Sequence, residues 1–155
     1  MKKCFLLAMI SVFAWQYSSA QSADKEAVAA AIDKLFKAME LGDSAMARQV
    51  LDDQMTGATI FKDKSGAVNI RREKSSKEFL DAIGSPHDVV WHEEIWNLKI
   101  QVDGDFAQAW CDYAFYAGKT FSHCGVDAMQ FYRKDGVWKM FHIADTRRKT
   151  GCEIP

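Results

Sequence analysis

Between Asp24 and Gly42 the apolar residues Ala27, Val28, Ala31, Ile32, Leu35, Phe36 and Met39 recur at three- and four-residue intervals. That is the period of one buried helical face. Asp24 and Glu26 are expected in its first turn, where the helix dipole favours acids, and Gly42 supplies a stop. Asp43 is placed to cap a second, shorter helix reaching Leu51. From Thr56 to Arg72 the alternation is weak, with ATIF and AVNI flanking the turn-rich KDKSG, so a hairpin is expected. Ser75 and Glu78 have the spacing of a capping box ahead of Phe79 and Leu80, and Gly84 closes a third helix. After Pro86 the residues Trp, Val, Ile, Phe and Tyr dominate. Asp-Gly pairs in VDGD (Val102–Asp105) and KDGV (Lys134–Val137), with a softer turn at Gly118-Lys119, divide this half into four strands. Their expected spans are 88–102, 105–117, 120–133 and 137–147. Helices followed by a long antiparallel meander make an α+β arrangement, with room for a pocket between helices and sheet.

The first residues do not fit that pattern. Lys2 and Lys3 precede an apolar run from Cys4 to Trp15, and Ser18-Ser19-Ala20 offers a small-residue cleavage site. Residues 1–20 therefore read as a cleavable signal peptide and residues 21–155 as one domain. The run is shorter than the roughly 20 apolar residues that span a bilayer. A periplasmic or secreted location is expected, with no membrane segment after cleavage. Loss of Lys2 and Lys3 moves the net charge from −1 to −3. A weakly acidic chain is a poor match for nucleic acid.

Cys111, Cys124 and Cys152 remain after cleavage. Export permits a disulfide, and Cys124 with Cys152 is the preferred pair. No CxxC or HxxxH spacing supports a metal, and no cofactor is expected.

Candidate chemistry centres on FSHCGVDAMQF (Phe121–Phe131). His123 and Cys124 are adjacent on a strand and point to opposite faces, so they do not form a dyad. Two-residue loops at Gly118-Lys119 and Asp135-Gly136 would place Asp112 diagonal to His123 and Met129 opposite His142. One face would then carry Trp110, Asp112, Tyr116, His123, Asp127, Met129, Trp138 and His142. Aromatic walls with a few acids and imidazoles suit a small-molecule pocket, and Asp112, His123 and Asp127 are its catalytic candidates. Only one of Glu93 and Glu94 can enter such a pocket, and an edge location is preferred for both. Asp145 and Arg147 of DTRR share a face and are expected to pair, while His87 and His92 read as loop and edge residues.

AMELGD (Ala38–Asp43), IQVDGDFAQAWCDYAFY (Ile100–Tyr116) and RKDGVWKMFHIADTRR (Arg133–Arg148) resemble the nuclear transport factor 2-like superfamily. HEEIWN, FSHCGVDAMQF and DTRR are similar, more narrowly, to exported bacterial members that carry a lumazine-binding label. The resemblance implies a cone-like curved antiparallel sheet wrapped by about three N-terminal helices, and a homodimer through the sheet. It also implies three functional readings: binding of an unidentified small molecule, proton transfer of the isomerase or cyclase type by a pocket Asp with His123, or a dimeric interaction module. Ketosteroid isomerase shares the fold, but its catalytic residues do not map one by one onto this chain.

Overall fold

The apolar stripe is buried as one face of α1 (Lys2–Leu41). Val28, Ile32, Leu35 and Ala38 are at most 1% exposed and pack chiefly toward β3 (Trp91–Asp103). This computed structural model describes the backbone of residues 2–155 and the side chains from Gln21 onward. The leader expected over residues 1–20 lies outside the residues whose side chains are described. Helix is continuous through Asp24, so that carboxylate does not sit in a first turn. It pairs instead with Arg133, which also bonds Asp105 at 2.8 Å and lies over the Trp138 ring.

Gly42 takes φ +66°, a conformation that ends helices, and Asp43 then caps α2 (Ser44–Arg48) by accepting from Met46 N at 2.9 Å. This helix stops earlier than expected because Leu51 already pairs with Met140 in the sheet. β1 (Leu51–Lys62) and β2 (Val68–Glu73) form the expected hairpin. Asp63 organises their turn by accepting from Ser65, Ala67 and Asn69. α3 (Ser76–Gly84) follows. Its expected capping box does not form, because Ser75 makes no side-chain cap bond; Ser76 donates to Asp53 O at 3.0 Å and ties the helix to β1.

β3 is followed by β4 (Phe106–Ala117), β5 (Thr120–Lys134) and β6 (Val137–Arg147) as an antiparallel meander. Asp135 and Gly136 both have positive φ, as a two-residue Asp-Gly hairpin requires. The sheet order is β2-β1-β6-β5-β4-β3. The meander reverses three times before reaching β1, so β6 runs parallel to β1, and the curved, unclosed sheet is mixed rather than wholly antiparallel. The fold is α+β and cone-like, with helices from the N-terminal half against one face.

Each of the meander's three pairings contains a one-residue shift. Ala117 pairs with Thr120 and Tyr116 with Phe121, as a two-residue loop demands, but Phe115 then pairs with His123. Ser122 is the extra residue. Phe141 plays the same part in β6, so Met129 lies opposite Ile143 and His142 opposite Gln130. Because side chains alternate with period two, each bulge exchanges the faces beyond it.

Cys124 and Cys152 form a disulfide with Cα atoms 6.0 Å apart, while Cys111 is free and buried. The disulfide and a backbone bridge between Cys124 and Arg148 hold the C-terminal segment beside β5. Gly125 allows close strand approach, since a Cβ there would sit 1.7 Å from Thr146 O. Among the described residues, no helix is long and apolar enough to cross a membrane.

Candidate functional site

Between the concave sheet face and the helices lies a cavity of about 480 Å³. Leu35, Phe36 and Met39 reach it from α1, Phe79 and Ala82 from α3, and Trp91, Phe115 and Ile143 from the sheet. These apolar walls surround a polar patch that crosses the strands in register. Arg71 pairs with Thr59, Thr59 with Asp145, Asp145 with Asp127, and Asp127 with Cys111. One row therefore runs from β2 to β4. Farther along the same face, beyond the row of Tyr113 and Gly125, Glu93, Phe115 and His123 align across β3, β4 and β5.

Hydrogen bonds fix most of this patch. Thr59 Oγ1 donates to Asp145 Oδ1 at 2.7 Å, and Arg147 Nε donates to the other oxygen at 2.6 Å. The buried Tyr113 hydroxyl lies 3.2 Å from Asp145 Oδ2 and 3.0 Å from Thr146 O. The Asp145 carboxyl is thus engaged at both oxygens. Burial raises the Tyr113 and Cys111 acid groups, with neighbouring carboxylates adding to the effect, so both stay neutral.

Glu93 and Asp127 behave differently. Their carboxyls interact, and both are pushed upward. Burial is the main cause for each. The Asp127 charge adds to it at Glu93, and the Asp145 charge adds to it at Asp127. Asp127 is pushed up to about 7 even though its interaction with Glu93 opposes the shift. Asp127 is 3% exposed, and its Oδ2 is buried without a donor. A protonated Glu93 is the neighbour that can supply one. Two close carboxyls away from bulk water retain a proton that isolated acids would release. Glu93 keeps intermediate exposure and lines the cavity, so it is the member a ligand can reach.

His123 lines the same cavity, between the rings of Tyr113 and Phe115 at centroid distances of 5.7 and 5.2 Å. Its Nδ1 lies 3.0 Å from Ser122 Oγ. Burial, reinforced by Arg147, depresses it to about 4, so a neutral imidazole faces the cavity at neutral pH.

The bulges correct the expected face. His123 and Asp127 line the cavity. Met129 and Trp138 lie on the same side but are 0% and 4% exposed within the hydrophobic core. Trp110, Asp112, Tyr116 and His142 lie on the opposite, convex face. There Trp110 is 54% exposed, Asp112 accepts from Asn97, Tyr116 packs near Phe121 and His92, and His142 contacts Thr56. Asp112 therefore cannot act with His123. Glu93 and Glu94 both lie on the edge strand β3, as expected, but Glu93 lines the cavity, while Glu94 is exposed near His92. Asp145 and Arg147 pair as their spacing implies. Strand parity brings Tyr113 and Phe115 inward only after the Ser122 bulge is counted, and no residue type in the sequence announces that bulge. Among the described residues no group of three or more His, Cys, Asp or Glu side chains is placed to hold a metal ion.

No family model matches the chain, and no curated protein matches it. Solved structures do. A nuclear transport factor 2-like protein of unknown function from Shewanella baltica OS155 is 16% identical, with a TM-score of 0.62 over 83% of this chain and 97% of its own. A nuclear transport factor 2-like superfamily protein from Salmonella enterica serovar Typhimurium LT2 is also 16% identical, with a TM-score of 0.64 over 86% and 98%. A candidate dehydratase of the same family from Streptomyces avermitilis is 18% identical, with a TM-score of 0.60 over 83% and 99%. These likenesses extend to the fold and not to the narrower lumazine-binding group. On element order, sheet topology and these structural relatives, the chain has the nuclear transport factor 2-like, cystatin-like cone fold.

Proposed function

We propose that this protein binds a small, largely apolar molecule that presents one hydrogen-bonding oxygen to Glu93. The observation that carries this reading is an apolar cavity lined by Glu93 and Asp127, two interacting carboxyls that burial pushes upward. Apolar walls would supply affinity, and a few placed polar groups would orient the ligand. Small neutral hydroxyl compounds such as 2-naphthol are suitable probes. Filling the cavity by Ala82→Trp is expected to weaken 2-naphthol binding at least about tenfold. Unchanged affinity in that variant would overturn the reading.

A second reading, proton transfer of the isomerase or dehydratase type, is favoured by the same pair. A carboxyl poised near neutrality can both give and take a proton. Glu93 would be the exchanging group, Asp127 its partner, and neutral His123 a further hydrogen-bonding group. The candidate dehydratase among the structural relatives is compatible with this chemistry but supplies no residue-level support. Conversion of a β,γ-enone such as 3-cyclohexen-1-one to its conjugated isomer, followed by ultraviolet absorbance, tests it. Glu93→Gln should reduce the rate by about 10²-fold or more; equal rates with and without protein would leave binding alone.

We further propose export through residues 1–20, which fits the Cys124–Cys152 disulfide. A homodimer through the convex face, where Phe106 and Trp110 are 41% and 54% exposed, completes the reading.

A further inference from the structure

A second concavity adjoins the cavity and shares Thr59, Arg71, His123 and Arg147 with it. Its cationic lining is Lys62, Lys64, Arg71, Arg147, Arg148 and Lys149, although the chain as a whole carries a net charge of −1. The one carboxylate in the lining is Asp63, which is spent on its own turn through four bonds from Ser65, Ala67 and Asn69. Arg147 bonds Asp145, and Arg148 donates to Gly151 O. Among the described residues, Lys62, Lys64 and Lys149 have no carboxylate within salt-bridge distance. This concentration of positive charge is held in place. Lys62 lies on β1, and the segment carrying Arg148 and Lys149 is tied to β5 by the disulfide and its bridge.

Such a groove at a cavity mouth selects for charge at one end of the occupant. We infer that the ligand is an amphipathic anion: an apolar body in the cavity and a carboxylate or phosphoryl group over the groove. Guanidinium forks match the oxygens of either group, and lysines add point charge. Glu73 and Glu78 also line the cavity, from β2 and α3. They leave the Arg71–Arg147 side as the place for the anionic end. This inference rests on the binding reading above and adds the ligand's charge.

Three probes with one body and different heads test it: 2-naphthoate, 2-naphthyl phosphate and 2-naphthol, titrated calorimetrically into the full chain. At low salt one or both anions should bind at least about tenfold more tightly than 2-naphthol, and the preference should shrink near 0.5 M NaCl. Which anion wins identifies the head group. The triple variant Lys62→Gln, Lys64→Gln, Lys149→Gln changes groove residues outside the cavity. It should lose the lysines' share of the preference, at least about threefold, while 2-naphthol affinity stays constant. Equal binding of all three probes would overturn the inference yet leave cavity binding intact. A preference undiminished in the triple variant would overturn it too, as would tight binding of a single-stranded oligonucleotide without binding of either naphthyl anion. Failure of all three probes would remove both readings.

Discussion

Replacing Asp127 by Asn tests whether the carboxyl pair holds a proton. An unfolded aspartate ionises near 3.8, whereas burial pushes folded Asp127 up to about 7. Between those values the folded chain keeps a proton that the unfolded chain has released. Its stabilising contribution is therefore complete below the unfolded value and is lost as pH rises through the folded one. At about 1.4 kcal/mol per pH unit, the shift corresponds to about 4 kcal/mol as an upper value, shared with Glu93 because the two titrate together. His123 works in the opposite direction: its depressed value makes a contribution present above the ordinary imidazole range and lost as pH falls toward about 4. That contribution is common to both proteins and cancels in their difference. Urea unfolding of wild type and Asp127→Asn, followed by tryptophan fluorescence from about pH 4 to pH 8, measures the remainder. Wild type should lose about 2–4 kcal/mol relative to the variant across this range. A difference constant within about 0.5 kcal/mol would refute the shared proton. If the Asn variant does not fold, Glu93→Gln removes the partner instead and should flatten the same pH dependence.

Other consequences of the structure can be measured separately. Gly125→Ala places a methyl group against Thr146 O and within 2.9 Å of the Tyr113 ring. It should cost about 3 kcal/mol or more in urea unfolding, and a loss below about 1 kcal/mol would mean that the strands do not approach so closely. Replacing Cys124 and Cys152 by Ser opens a loop with a sequence separation of 28. A loss of about 3 kcal/mol is expected under non-reducing conditions, and insensitivity of the wild type to dithiothreitol would argue against the bond. Trp110→Lys on the convex face should convert a dimer to monomer in sedimentation velocity. A wild-type monomer at all accessible concentrations would refute the proposed interface.

The elements were legible because their signals are local. The stripe from Val28 to Met39, the Asp43 cap and the two Asp-Gly turns each depend on residues close in sequence. They led directly to α1, α2 and the four-strand meander. The parallel pairing of β1 with β6 was not legible, since it follows from where the meander closes and leaves no mark in either strand. The cavity face was legible only in part for a related reason. Counting outward from Gly118-Lys119 gives the right register for two residue pairs, and Ser122 then changes it by one. That single residue sends Asp112 and Trp110 outward and brings Tyr113 and Phe115 inward. His123 and Asp127 keep their shared face because both lie beyond the bulge on one strand. Asp145 and Arg147 could be paired from spacing alone, whereas Glu93 could not be distinguished from Glu94 without the pairing of β3.

A retained proton also explains how a row of acids persists inside the sheet. Asp127 and Asp145 are direct cross-strand partners, and like charges in that arrangement repel. Asp145 is compensated by Arg147, Thr59 and Tyr113. Those donors are occupied, so little compensation remains for Asp127. Its available partner is Glu93, another acid, and two buried ionised carboxylates would add repulsion to desolvation. A retained proton relieves both costs and turns repulsion into a hydrogen bond. The same arrangement that keeps the sheet electrostatically tolerable therefore leaves an exchangeable proton at the wall of an apolar cavity, with Glu93 rather than Asp127 exposed to what enters. Structural compensation and the proposed ligand chemistry draw on the same pair of carboxyls, so on that proposal mutating either acid should alter stability and binding together.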